Sequence, residues 1–127
     1  MRKVEEFMRE YFRAKIIDEQ EHQANRLPFR RKFFTDDCRY DSHAETLQRM
    51  ESEKVVSVEE TTADSKVITE QIFDYLGKKK TIRLRYHLQV ANDDWLIRKV
   101  QAACYICEGR GDSSCPHCEG KLWLGSG

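Results

Sequence analysis

Two periodicities divide the chain. In the N-terminal part apolar residues recur at helical spacing, and residues 2–20 are therefore predicted to form an amphipathic helix. Its apolar stripe consists of Val4, Phe7, Met8, Tyr11, Phe12 and Ile16. Pro28 suits the first turn of a short second helix. Ser42 followed by Glu45 resembles a capping box and predicts that a third helix begins at Ser42, with a short strand before it at residues 38–40.

The pattern then changes to the alternation that is typical of strands. Strands are predicted at residues 54–61, 66–75, 81–90 and 95–103. In the third of these, one face is apolar (Ile82, Leu84, Tyr86, Leu88 and Val90) and the other is polar and expected to face solvent (Thr81, Arg83, Arg85, His87 and Gln89). Turns are predicted at Gly77, which precedes three lysines, and at residues 92–94. Helices followed by a meander predict an α+β fold, with helices on one face of a curved, mostly antiparallel sheet.

This element order resembles the NTF2-like superfamily, the cystatin-like α+β cone, over residues 1–103. The opening amphipathic helix and the closing strand, which contains Trp-Leu-Ile-Arg-Lys-Val at residues 95–100, carry the resemblance. The resemblance implies a pocket between the sheet and the helices, and pairing of two copies through the sheet. Residues 104–124 lie outside such a fold and are predicted to form a separate extension.

Composition narrows the classes of protein to consider. The 127 residues suit one domain with a small appendage, and 22 basic residues balance 22 acidic ones, which argues against broad electrostatic binding to nucleic acid. No apolar run is long enough to span a membrane. The first residues lack the apolar core of a secretory signal, so a cytoplasmic location is expected. Disulfides seldom persist there, and the five cysteines need another explanation.

Four of those cysteines form two C-x2-C pairs, at Cys104 and Cys107 and at Cys115 and Cys118, and each pair is followed by Glu-Gly. Two intervening residues let both thiolates of a pair reach one ion, and two pairs supply the four sulfurs of a tetrahedral zinc site. Because four thiolates leave no open position for water, the expected role of Zn²⁺ is structural. A disulfide or redox pair and an iron–sulfur cluster are the alternatives.

The pairs resemble the C-x-x-C-x-G-x-G repeats in the cysteine-rich zinc domain of DnaJ-type chaperones. The first pair matches in full, whereas the second has Leu122 where the last glycine belongs. The resemblance implies ligation by four sulfurs, with one zinc ion for two repeats, and it does not extend to a chaperone role. His117, inside the second pair, is interpreted as a solvated side chain, with ligation as the alternative.

An enzyme built on such a cone would need an aspartate or histidine in its pocket. The candidates are Asp18, His22, Asp41, His43 and His87. Each also has a simpler interpretation: a surface pair on the first helix for Asp18 and His22, capping for Asp41 and His43, and a surface strand position for His87. The remaining cysteine, Cys38, is interpreted as a small buried hydrophobe.

Three functions follow as hypotheses. The first is a non-enzymatic domain for protein interaction or small-molecule binding, which pairs with a second copy through the sheet and carries a structural zinc. The second is a small enzyme of the isomerase, dehydratase or hydrolase type that uses the cone pocket. The third is a nucleic-acid or chaperone-like surface on the zinc extension. A protein or a small apolar ligand is the expected partner, rather than nucleic acid or a membrane.

Overall fold

The computed structural model describes residues 2–21, 27–42, 45–61, 63–103 and 123–124. Helices come first and strands follow, and all neighbouring strands are antiparallel in the order β1-β2-β3-β4-β5. The elements are α1 (Val4–Glu21), α2 (Leu27–Phe33), α3 (Leu47–Ser52), β1 (Lys54–Glu60), β2 (Asp64–Tyr75), β3 (Lys78–Ala91), β4 (Asp94–Ala103) and the two-residue β5 (Trp123–Leu124). The predicted α+β class is confirmed.

The helices pack on one face of the sheet through the predicted apolar stripe of α1. Val4, Phe7, Met8 and Tyr11 are fully buried. They meet side chains from the inward faces of β2, β3 and β4, namely Val67, Leu84, Tyr86, Leu88, Trp95, Ile97 and Val100. After α2, Phe34 forms a parallel bridge with Ile97 of β4, which holds the chain against the sheet.

Aromatic rings fill the interior around Tyr11. The Tyr11 ring centroid lies 5.5 Å from that of Phe33, 5.6 Å from that of Phe34 and 5.8 Å from that of Tyr86, each in an edge-to-face arrangement. Such pairs stabilise a core beyond the area they bury. This part of the space between the helices and the sheet is therefore occupied by side chains of the protein itself.

The two predicted turns are present as tight hairpins with left-handed backbone. Leu76 and Gly77 connect β2 to β3 with φ of 51° and 79°, and Asn92 and Asp93 connect β3 to β4 with φ of 51° and 62°. Two consecutive positive φ angles give the twist that matches the flanking strands. The register on either side of both turns follows from them.

Two local predictions are wrong. The third helix starts after Thr46, whose side chain accepts a hydrogen bond from the backbone N–H of Arg49, so Ser42 and Glu45 do not form a capping box for it. Residues 38–40 form no strand; instead the Arg30 guanidinium donates to the carbonyl oxygens of Cys38 and Tyr40 at 2.7 and 2.8 Å. Side-chain hydrogen bonds replace a ladder there.

Within the described ranges, no helix is long and apolar enough to cross a membrane. α1 is the longest of them, with 18 residues, and its buried face includes the charged side chains of Lys15 and Asp18. The expected absence of a spanning helix is confirmed for these ranges.

Candidate functional site

A cluster of polar side chains lies between the helices and the sheet, next to the aromatic core, and Lys15 is at its centre. Lys15 follows Tyr11 by one turn on the inward face of α1 and is 1% exposed. Its Nζ donates to Glu45 Oε1 at 2.9 Å and to Glu53 Oε1 at 2.7 Å, and lies 3.5 Å from the Tyr86 hydroxyl. One ammonium group is thus shared by two carboxylates that come from either side of α3.

Glu45 also receives hydrogen bonds from uncharged donors. Gln71 Nε2, on the inward face of β2, donates to Glu45 Oε1 at 2.5 Å, and the Tyr40 hydroxyl donates to Glu45 Oε2. The side-chain amide oxygen of Gln71, Oε1, in turn accepts a hydrogen bond from Arg49 Nε at 2.9 Å. Both oxygens of the Glu45 carboxylate are therefore engaged, and the half-buried Arg49 brings a second positive charge to the cluster.

Glu53, at the junction of α3 and β1, is engaged in the same way. Thr69 Oγ1 donates to Glu53 Oε2 at 2.6 Å, and the Tyr86 hydroxyl donates to the same oxygen at 2.7 Å. With Lys15 on the other oxygen, all four carboxylate oxygens of the pair accept hydrogen bonds. Such complete satisfaction is what makes burial of charged groups tolerable.

The charges of the cluster support one another. Burial acts to lower the pKa of Lys15, but the negative charges of Glu53 and Glu45 outweigh it and raise that pKa above its usual value. Burial acts to raise the pKa of Glu45, and the charge of Lys15 with the Tyr40 hydrogen bond lowers it instead. The pKa values of the Tyr86 and Tyr40 hydroxyls are raised by burial and by the nearby carboxylates. At neutral pH Lys15 is therefore an ammonium, Glu45 a carboxylate, and the Tyr86 and Tyr40 hydroxyls are uncharged.

Tyr11 contributes a hydroxyl of a different kind. The side chain is completely buried, and its oxygen has no hydrogen-bond partner among the described residues. Burial, together with the charge of Glu45, raises the pKa of this hydroxyl, so it is a neutral donor next to the charged cluster. Ser65 Oγ, on the inward face of β2, is likewise buried and has no partner among the described residues.

The structure separates the sequence-predicted catalytic candidates. Asp18 lies on the inward face of α1 and is 5% exposed, whereas Asp41 is exposed to solvent. His22 and His43 lie outside the described residues. None of these was predicted to join a buried lysine, and only Asp18 shares the inward face with Lys15.

His87 corrects the prediction that the polar face of β3 is solvent-facing throughout. It is 8% exposed, and its Nε2 lies 2.8 Å from the side-chain oxygen Oε1 of Gln101. The same oxygen also accepts from Arg85 Nη2 at 2.7 Å. The Nδ1 atom has no partner among the described residues. Burial lowers the pKa of His87, as do Arg85 and other nearby cations, so the ring is neutral at pH 7. It lies on the face of the sheet away from the helices.

The predicted metal ligands Cys104, Cys107, Cys115 and Cys118 lie outside the described residues, as does His117. Elsewhere, the described part of the chain contains no cluster of three or more histidine, cysteine, aspartate or glutamate side chains arranged for a metal ion. Cys38 is buried and free, in agreement with its interpretation as a small hydrophobe.

The main cluster was missed by sequence reasoning, although the chain carries a signal for it. Lys15 interrupts an apolar helical stripe. On the inward side of β2, Val67 is followed at every second position by the polar residues Thr69 and Gln71. Polar residues on a face that must be buried require partners. The pattern thus indicated an internal polar cluster without indicating which residues would complete it.

No protein family, no curated protein and no solved structure matched this chain. The site is therefore interpreted from its own geometry.

Proposed function

We propose that this protein is a non-enzymatic interaction domain: an NTF2-like body whose C-terminal extension is held by a structural zinc ion. The observation that carries the proposal is the state of the buried carboxylates. Glu45 and Glu53 together accept hydrogen bonds on all four oxygens from internal donors. The polar cluster connects α1, the segments on either side of α3, and the sheet.

Catalysis at this cluster would require breaking it. A general base needs a lone pair within reach of the substrate proton and a pKa near the working pH. The ion pair with Lys15 lowers the pKa of Glu45, and the buried ammonium is equally committed. The geometry favours a stabilising role, and it places the protein's interactions on its surfaces and its extension.

The strand pairing at the C-terminus supports a compact extension. Ala103 of β4 pairs with Trp123 of β5, and Ala102 with Leu124. Ala103 and Trp123, which flank the segment 104–122, are thereby paired at the edge of the sheet. Because the sheet closes this loop, bringing the two C-x2-C pairs to one ion costs less chain entropy. Cys104, Cys107, Cys115 and Cys118 are the proposed zinc ligands.

The outer face of the sheet is the proposed surface for a second copy of the chain. The β1–β2 side of this face carries more acidic than basic side chains, with Lys54 and Lys66 among Glu59, Asp64, Glu70 and Asp74. Glu70 is already paired with Arg83 of the same copy. The β3–β4 side is basic, for example at Arg85 and Lys99. A two-fold axis would place each acidic side opposite the basic side of the other copy. Such a homodimer in the cytoplasm is consistent with the sequence-based expectation.

A second candidate is binding of a small molecule in the cone, which an enzyme of this architecture would also require. The buried hydroxyl of Tyr11 is the observation in its favour, because a buried donor without an acceptor carries a desolvation cost that a ligand oxygen would remove. The aromatic rings packed around Tyr11 would have to move to admit such a ligand. Titration with a fluorescent apolar probe tests this. One-to-one binding that Tyr11→Phe weakens by about tenfold would support the pocket; no binding would remove it.

Metal analysis tests the main proposal. The purified, reduced protein should contain one equivalent of zinc per chain, and Cys107→Ser should contain little. Cys38→Ser is the matched control and should retain the full equivalent, because Cys38 belongs to the buried core cluster and to neither C-x2-C pair. Less than about half an equivalent in the wild-type protein, where four thiolates should bind tightly, would contradict the proposal.

A further inference from the structure

The two hairpin turns of the sheet share one backbone conformation but not one chemistry. The β3–β4 turn uses Asn92 and Asp93, residues that tolerate left-handed φ. At the first of the two corresponding positions the β2–β3 turn has Leu76, with φ of 51°. Asparagine or aspartate before glycine is the favoured pair in such a turn. The β2–β3 turn thus departs from the local rule that the other turn follows.

Burial does not account for this leucine. Leu76 is 87% exposed, the highest exposure of any large apolar residue in the described ranges. A bulky side chain in left-handed backbone is disfavoured, and an exposed one gains nothing from the core. Since neither the turn nor the fold requires leucine here, the residue points to a contact outside the domain.

The charges around the tip point in the same direction. Lys78, Lys79 and Lys80 follow Gly77 directly, and Asp74, paired with Lys79 at 2.9 Å, is the acidic residue facing them across the hairpin. The opposite end of the sheet, formed by the β1–β2 and β3–β4 turns, has an acidic excess; it carries Glu59, Glu60, Asp64, Asp93 and Asp94, of which Asp94 is paired with Arg2. The domain therefore has a basic end with an apolar tip and an acidic end.

We propose that the β2–β3 hairpin tip docks on an anionic lipid surface, with Leu76 entering the interfacial region and Lys78 to Lys80 contacting the headgroups. An apolar group combined with a basic cluster provides the two signals that reversible surface binding needs. The acidic end of the sheet then points away from the surface, which favours a single orientation. A surface contact requires no spanning segment, so this differs from the expectation of no membrane partner.

A lipid surface fits these observations better than nucleic acid or an acidic protein does. Nucleic-acid contacts would use the lysines, but a phosphate backbone offers nothing to an exposed leucine. A protein partner would need a pocket for Leu76 that is ringed by acidic groups. A bilayer interface accepts the apolar tip and the basic flank together.

Co-sedimentation of the full, zinc-loaded chain with vesicles tests the proposal. Binding is expected to vesicles with about 30% phosphatidylserine but not to pure phosphatidylcholine, and to weaken at about 1 M NaCl, where the Debye length is roughly 3 Å. Lys78→Gln should reduce partitioning roughly fivefold. Lys3→Gln removes the same charge at the exposed start of α1, beside Arg2 and Asp94 at the opposite end of the sheet, and should have a much smaller effect.

Leu76→Asn separates lipid binding from folding. Asparagine suits the left-handed position, so the variant should melt at the wild-type temperature or above, yet bind anionic vesicles roughly tenfold more weakly. Equal binding by Leu76→Asn and wild type would overturn the proposal, as would the absence of binding to anionic vesicles. Binding to an oligonucleotide or an acidic peptide that needs the lysines but not Leu76 would assign the tip to another partner.

Discussion

Lys15 holds one positive charge between two buried carboxylates, 2.9 Å from Glu45 and 2.7 Å from Glu53. All three side chains are 0–1% exposed. A buried ion pair adds little net stability compared with a well-packed apolar core, but removing one partner leaves uncompensated charge behind. Loss of Lys15 should therefore lower the free energy of unfolding by more than the net contribution of its two ion pairs.

Replacing Lys15 by methionine, which fills a similar volume without charge, is expected to lower the free energy of unfolding at pH 7 by about 3–5 kcal/mol. Urea denaturation followed by tryptophan fluorescence measures this. Lys3→Met is the control: Lys3 is exposed near the start of α1, and its change should be within about 0.5 kcal/mol. A Lys15→Met protein as stable as the control would show that the carboxylates do not depend on this ammonium group.

The same pair of proteins should differ in their response to pH. The pKa of Glu45 is lowered in the folded protein, so its contribution is present above the unfolded value, about 4.3, and is lost as pH falls through the folded value. The pKa of Lys15 is raised, so its contribution is present below about 10.4 and is lost at higher pH. In Lys15→Met, acid should instead neutralise the stranded carboxylates. The stability gap to wild type should then narrow from pH 7 to about pH 4; a constant gap would contradict this assignment.

Whole elements were easier to predict than their ends and their polar contacts. The apolar stripe of α1 and the alternation in β3 depend on neighbours within a few residues, and both elements are present. The polar cluster depends on residues far apart in sequence: Lys15 contacts Glu45, 30 positions away, and Glu53, 38 positions away. Glu45 looked like a capping residue because its local pattern fits one. Its actual partners become visible only once the helices are packed on the sheet.

β3 shows why the faces of a strand are not fully predictable from alternation. Its apolar side is buried as predicted, but His87 on the other side is buried too. The register between β3 and β4 shifts next to His87, where His87 pairs with Lys99 and Leu88 with Ile97. Arg85 and His87 both contact the side-chain oxygen Oε1 of Gln101. A bulge and a shared acceptor are properties of two strands together, so one strand's pattern cannot reveal them.

At the scale of the whole molecule, the exposed hairpin tip and the point where the cysteine segment leaves the sheet lie at the same end of the fold. The β2–β3 tip, the start of β1 and the end of β4 all lie at the same end of an antiparallel sheet. The chain leaves the sheet there at Ala103 and returns to it at Trp123. The body is held by its aromatic core and its polar cluster, whose members among the described residues all lie between Val4 and Ala103. Body and extension should therefore respond separately when the proposed zinc ion is lost.

Limited proteolysis makes that separation measurable. Arg110 and Lys121 are trypsin sites within the segment 104–122. In the zinc-loaded protein both bonds should be cut slowly, because a structural zinc site orders the chain around it. Removing zinc with a chelator, or replacing Cys107 by serine, should speed cleavage at these two bonds by at least about tenfold, while the bonds within β2 and β3 stay protected. Cys38→Ser with zinc should behave like wild type. Equal cleavage with and without zinc would mean that the ion does not order the segment, and simultaneous loss of protection in β2 and β3 would mean that the body depends on the extension after all.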